Sequence, residues 1–195
     1  MITSPVKEDI TAVVLAGGQG RRVDEQDKGL LEFCGKNLVE HVIQSLSTQT
    51  NNIVVVANRN IETYTALGFP VVSDRIEGFQ GPLAGLDAAF SVTRSSFLLC
   101  VPCDSPFIPT DLMKKLINAT TGNNPIVVAS DGNRLHPVIS LIHRSVWPDI
   151  ENRLSEGRLR LMEWIEAAGY DVADFSSSPE VLQNLNTIEQ IDSAS

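Results

Sequence analysis

Residues 12–31 read AVVLAGGQGRRVDEQDKGLL. An apolar, β-branched run stops at a glycine cluster, two arginines and a lysine come next, and apolar residues resume. The run over 11–17 predicts a buried strand, and the elements after it decide the fold class. Residues 38–47 (LVEHVIQSLS) have helical spacing. Residues 52–58 (NIVVVAN) read as a second strand, with a short helix near 62–67. The pattern repeats, with strands predicted over 69–74 and 97–104 and helices over 82–93 and 109–120, the last with Thr110 and Asp111 as candidate caps. Strands alternating with helices predict parallel pairing through crossovers.

The rhythm changes after residue 124. Residues 125–131 and 136–143, around a Gly132–Asn133 turn, predict a hairpin-like element rather than another strand–helix unit. Helices over 146–154 and 159–168 and a strand near 170–175 complete the reading. The expected fold is α/β: three layers, α/β/α, with a mostly parallel mixed sheet in one domain over 1–195. A division is expected near residue 120, where the rhythm changes.

Composition narrows the function. The chain has 195 residues and a formal net charge of −9, which speaks against nucleic acid as the main partner, since that binding needs a broad basic surface. No apolar run reaches the roughly 18 residues of a membrane span. Residues 1–11 have no apolar signal core, so no secretory leader is expected. Three cysteines are too few for a disulfide framework, and a reducing, cytoplasmic setting is expected. Cys100 and Cys103 form CxxC inside a predicted strand, which suits neither a redox pair nor a four-ligand zinc site.

On an acidic chain a polyanion must be met by a local cluster of cations or by a metal, and 17–28 is such a cluster. It is not a P-loop: Gly35–Lys36 is followed by Asn37, and Leu30 stands where the first glycine belongs. It is not a dinucleotide fingerprint either, because Val23 occupies the third glycine position. Two readings remain. One is a glycine turn with solvent-exposed cations. The other is a backbone nest around Gly17, Gly18 and Gly20, with Arg21, Arg22 and Lys28 supplying charge to phosphates. In open α/β sheets ligands gather at the carboxyl ends of the strands. The predicted strand ends carry Asn58, Asp74 and Asp104 as well as the glycines.

LAGG followed by arginine, then Asp27-Lys28-Gly29-Leu30-Leu31, Gly81-Pro82-Leu83-Ala84-Gly85, Cys103-Asp104-Ser105-Pro106 and Asn184-Leu185-Asn186-Thr187 form a specific set. Together they resemble the GT-A-like nucleotidyltransferase superfamily, and within it the molybdenum cofactor guanylyltransferases of the MobA family. The resemblance runs from Ala12 to about Ile191, and implies a nucleotide-binding part over about 11–120 and an acceptor side over about 121–195. It implies attack of the terminal phosphate of molybdopterin on the α-phosphate of GTP, with loss of pyrophosphate and magnesium as the metal. It implies catalytic roles for Arg22, Lys28 and Asp104, with Asp104 as the metal ligand. Nucleotide-binding roles fall to Leu15, Ala16, Gly17, Gly18, Lys28, Asp74 and Asp104, and acceptor-binding roles to Arg134, His136, Arg158, Arg160 and Asn186. Further implied partners are other cofactor-biosynthesis proteins and apo-molybdoenzymes.

The chain departs from the family pattern at three places. Val23-Asp24-Glu25 stand where relatives often have glycine, Val56 where they often have asparagine, and Leu159 separates two arginines that the family tends to place side by side. Rival readings are a cytidylyltransferase for the same cofactor, a sugar- or alcohol-phosphate nucleotidyltransferase, and a non-catalytic nucleotide-binding carrier.

Overall fold

The computed structural model describes residues 2, 5–18, 26–76 and 81–194. Gly20, Arg21 and Arg22, expected in the anion nest, lie outside the described residues. The strands are β1 (Ile10–Leu15), β2 (Glu32–Phe33), β3 (Lys36–Asn37), β4 (Ile53–Val56), β5 (Val71–Val72), β6 (Phe97–Pro102), β7 (Ile126–Ser130), β8 (Leu135–His143) and β9 (Tyr170–Asp174). The helices are α1 (Leu38–Ser47), α2 (Ile61–Thr65), α3 (Pro82–Val92), α4 (Leu112–Asn118), α5 (Trp147–Ser155), α6 (Leu161–Ala168) and α7 (Ile188–Ala194).

Seven strands form one sheet in the order β5-β4-β1-β6-β8-β7-β9, and β2 and β3 form a separate ribbon. β1 pairs in parallel with β4 and with β6, and β4 with β5. β8 runs antiparallel to both of its neighbours, whereas β9 is parallel to β7. The expected α/β/α layering and mixed sheet are therefore present. Two apolar layers explain the continuous hydrophobic runs. Ile10, Ala12, Val14 and Ala16 pack with Val39, Val42 and Leu46 of α1 and Leu112 and Leu116 of α4. Val13, Leu98 and Val128 pack on the other side with Leu86 and Phe90 of α3, Ile150 of α5 and Trp164 of α6. A central strand buried on both faces needs apolar residues at successive positions, so the period-2 signal disappears.

Local differences from expectation have local causes. β5 is only two residues long; Pro70 precedes it and offers no amide to a ladder, and it pairs only with β4 at the sheet edge. α4 starts at Leu112, later than expected. Asp111 occupies its N-cap position, but its side chain makes no cap bond and stands 3.8 Å from Lys115 Nζ. The β2–β3 ribbon was not expected. It turns through Cys34 (φ 46°) and Gly35 (φ 76°), the positive angles a tight hairpin demands, and two-residue strands leave no periodic signal.

The chain leaves β1 toward β4 and β5, then returns to β6 on the other side of β1 and continues toward β8, β7 and β9. Connections from β1 and β6 therefore depart in opposite directions. This is the switch point at which open α/β sheets leave a crevice beyond the strand ends.

Candidate functional site

The crevice is built from the last residues of β1 and β6. The amide of Cys103 donates to the Leu15 carbonyl at 3.1 Å, so the two chains stay together past the end of the ladder. Asp104 comes directly after it and is 8% exposed. Residues 27–30 cross in front of it as a short 3-10 turn, Lys28–Leu30, with Asp27 as its N-cap. Lys28 Nζ donates to Asn186 Oδ1 at 2.8 Å and lies 3.5 Å from Asp104 Oδ2. Three residues separated by 76 and 158 positions thus share one point.

The remaining oxygen defines what the site can do. Asp104 Oδ1 is buried and has no hydrogen-bond partner among the described residues. Burial pushes the Asp104 carboxyl above its ordinary value, and Lys28 offsets part of that rise. A bare carboxylate oxygen at a strand end is a hard donor that could hold a hard cation.

The C-terminal segment holds its own side of this point. The Leu185 amide donates to the Asp104 carbonyl at 2.8 Å, and Ser105 Oγ donates to Asn184 Oδ1 at 2.7 Å. Asn186, expected among the acceptor-binding residues, is placed with Lys28 and Asp104.

A second group of expected residues meets at the ends of β1, β4 and β5. Asn58 Nδ2 donates to Asp74 Oδ2 at 2.7 Å, and the Asp74 amide donates to Asn58 Oδ1 at 2.9 Å. Burial raises the Asp74 carboxyl, and the Asn58 bond opposes it. Gly17 abuts this pair: a Cβ there would come within 2.9 Å of Asn58 Nδ2. Ala16 is buried, Leu15 half-buried and Gly18 exposed, so the strand end opens outward at the glycines. Val56 is 1% exposed, so no polar group reaches the crevice from that position.

Of the other expected acceptor residues, Arg134, His136 and Arg158 pair with near neighbours in the chain. His136 Nε2 lies 2.8 Å from Asp131 Oδ2 and Arg134 Nε 3.4 Å from the same oxygen, so both close the β7–β8 turn. The His136 hydrogen bond and two backbone amides hold the Asp131 carboxyl well below the usual range. Arg158 Nη1 meets Glu156 at 2.8 Å, and Arg160 stands at the N-cap of α6. The CxxC thiols are buried and pushed up by desolvation, as inert thiols are. The reading of the sequence met Asp27, Ser105 and Asn184 only as motif residues and placed Asn58 at its strand end without naming its partner. Asp27 carried a local signal as the cap of its turn; the others act through partners 16 and 79 residues away.

A family model for the MobA-like NTP transferase domain matches residues 12–171. The chain is 41% identical over 182 residues to a molybdenum cofactor guanylyltransferase of Shewanella putrefaciens, covering 93% of each protein. It is 40% identical over 187 residues to that of Photobacterium profundum, covering 96% of each. The structure of molybdopterin-guanine dinucleotide biosynthesis protein A from Archaeoglobus fulgidus superposes with a TM-score of 0.78, at 20% identity, over 94% of this chain and 96% of that one. Identity near 40% over almost the full length, on the fold described, goes beyond a shared phosphate-binding turn: the chain belongs to the MobA-like NTP transferase family.

Proposed function

We propose that this chain transfers GMP from GTP to the terminal phosphate of molybdopterin. The products are the guanine dinucleotide form of the cofactor and pyrophosphate. The observation that carries the reading is the buried, unpartnered Asp104 Oδ1 beside Lys28, at the sheet's switch point, in a chain whose relatives are named as guanylyltransferases.

The chemistry fits these residues. A phosphate monoester has its second pKa near 6, so the nucleophile is already largely dianionic at pH 7 and needs little help from a base. The acceptor oxygen forms a bond to the α-phosphorus while the bridge to the β-phosphate breaks. The barrier is the meeting of two polyanions, which fixed cations lower. Lys28 supplies one such cation, held by Asn186, and Arg22 is a second. Asp104 is the residue to hold a divalent cation, magnesium by the chemistry of an all-oxygen donor. Among the described residues no group of three or more acidic, histidine or cysteine side chains is gathered to hold a metal, so Asp104 would hold the cation together with oxygens supplied by the substrates or by water. When bound, the cation neutralises developing phosphate charge. Leu15, Ala16, Gly17 and Gly18 form the strand end that receives the nucleotide, and Asp74, oriented by Asn58, reads its base or ribose side. Arg134, His136, Arg158 and Arg160 are the acceptor-side candidates. The free thiols fit a reducing, cytoplasmic setting. Among the described residues no helix is long and apolar enough to cross a membrane.

The test is a thermal-shift comparison of GTP, CTP, ATP and UTP with and without magnesium, followed by pyrophosphate release with molybdopterin. A ligand at 100 times its Kd adds about 2.7 kcal/mol, a shift of roughly 5–10 °C for a chain this size. A magnesium-assisted preference for GTP with turnover supports the reading. A preference for CTP replaces it with the cytidylyl reaction, and binding without turnover replaces it with a carrier.

A further inference from the structure

Asp27 and Asp104 are both buried carboxylates next to Lys28, yet their surroundings differ. Asp104 keeps one oxygen bare. Asp27 has both oxygens engaged: Oδ1 accepts from the Tyr64 hydroxyl at 2.6 Å and from the Gly29 amide at 3.2 Å, and Oδ2 accepts from Asn60 Nδ2 at 3.0 Å. Arg59 Nε adds charge at 3.6 Å from Oδ2, while Arg59 Nη2 donates to the Gln26 carbonyl at 2.8 Å. A carboxylate with both oxygens engaged by the protein's own donors fastens a turn.

The fastening is anchored by Tyr64, the fully buried aromatic of α2. Burial raises its phenol far above the ordinary range, so it stays a donor at any working pH. Its hydroxyl also sits where a side chain on Gly29 would project. A Cβ at Gly29 would collide with that hydroxyl and come within 3.3 Å of Cys103 Cβ and Sγ. Cys103 directly precedes Asp104. Tyr64, Asp27, Gly29 and Cys103 therefore form one continuous set of contacts between α2 and the end of β6, and Lys28 projects from its middle. Lysine is a flexible side chain, and its reach depends on where its backbone is pinned.

From this juxtaposition we infer that Tyr64 is a positioning residue for Lys28, acting through Asp27 to set the distance between the ammonium and Asp104. The inference rests on the role given to Lys28 under the proposed function.

Tyr64→Phe keeps the ring and removes only the hydroxyl. Affinity for the nucleoside triphosphate that stabilises the protein most, in magnesium, is measured in four proteins: unaltered, Tyr64→Phe, Lys28→Ala and the double variant. Turnover is followed for the first two. Misplacing a charged group by a fraction of an ångström costs on the order of tenfold in rate, and a shared cause shows as non-additivity. Tyr64→Phe is expected to lower kcat about tenfold and affinity about fivefold in the Lys28 protein, and to change affinity less than about twofold in the Lys28→Ala background. Asp27→Asn is expected to show the same dependence on Lys28. Equal losses in both backgrounds would make the hydroxyl a contributor to folding alone and overturn the inference; so would no loss in either. If the best nucleotide proves to be CTP, the guanylyl reading fails while the cycle still decides the role of Tyr64.

Discussion

Asp104 and Lys28 set the behaviour of the site at the scale of single residues. Burial raises the Asp104 carboxyl first, and Lys28 pulls it partly back. A carboxyl raised in the folded state binds protons that the unfolded chain has released, so over that window stability falls as pH rises. The same shift means the anion needed for cation binding is lost at a higher pH than for an ordinary aspartate. Magnesium affinity measured by titration is therefore expected to fall early as pH is lowered, and a profile matching a solvent-exposed carboxylate would contradict this. Asp104→Asn removes the buried charge: the nucleotide-free protein is expected to melt a few degrees higher, in line with roughly 1 kcal/mol. Magnesium-dependent turnover is expected to fall by about two orders of magnitude or more. A melting point that drops instead would mean the Lys28 pair outweighs desolvation.

At the scale of elements, the close approach of α3 to the sheet shapes the crevice. From the sequence, residues 81–85 suit either a phosphate-binding helix start or a tight helix contact. Gly85 makes the tight contact: a Cβ there would meet Leu15 Cδ2 at 2.7 Å and Val56 Cγ1 at 3.4 Å. Leu15 ends β1, so the glycine lets the helix lie against the strand that opens into the site. Gly85→Ala forces Leu15 to rotate or α3 to retreat, a cost of about 1–3 kcal/mol for overpacking. Denaturant unfolding is expected to show that loss together with weakened nucleotide binding, because the strand end moves with its packing. A loss of stability with unchanged affinity would place the strand end beyond the reach of α3.

Across the whole molecule, the site closes only when the C-terminal segment returns to Lys28 and Asp104. Leu185 is 1% exposed and Ile191 5%, and both pack with Phe33 of β2 and Leu38 of α1. This satellite cluster fastens the segment that brings Asn186 to Lys28. The Asn186 amide also donates to Gln190 Oε1 at 2.7 Å, tying the segment to α7. Ending the chain after Gln183 exposes Leu185's partners and removes Asn186. Each buried aliphatic side chain lost costs about 1.5–3 kcal/mol, so melting is expected to fall by several degrees. The magnesium-dependent response to nucleotide is expected to shrink with it. A truncated chain with full affinity would show that Lys28 needs no partner from the tail.

Local spacing accounts for the features that the sequence alone determined. The apolar run ending in LAGG, the helical pattern over 38–47 and the hairpin after residue 124 are legible because strand and helix periods appear within a dozen residues. Lys28 of DKGLL and Asp104 of PCD were each legible as site residues through the resemblance; their pairing was not. The short elements were not: two-residue strands such as β2 and β3 contain no period, and the absence of capping by Asp111 depends on a lysine one turn away. Tertiary structure alone decided which aspartate is free. Asp27 caps its own turn and Asp104 follows a strand end, but which of them keeps an unpartnered oxygen is not written in either segment. Tyr64, 37 residues from Asp27, fills one, and the absence of any such partner among the described residues leaves an oxygen of the other bare. Hydrogen-bond saturation is a property of the packed neighbourhood, and the crossovers of the sheet assemble that neighbourhood from distant parts of the chain.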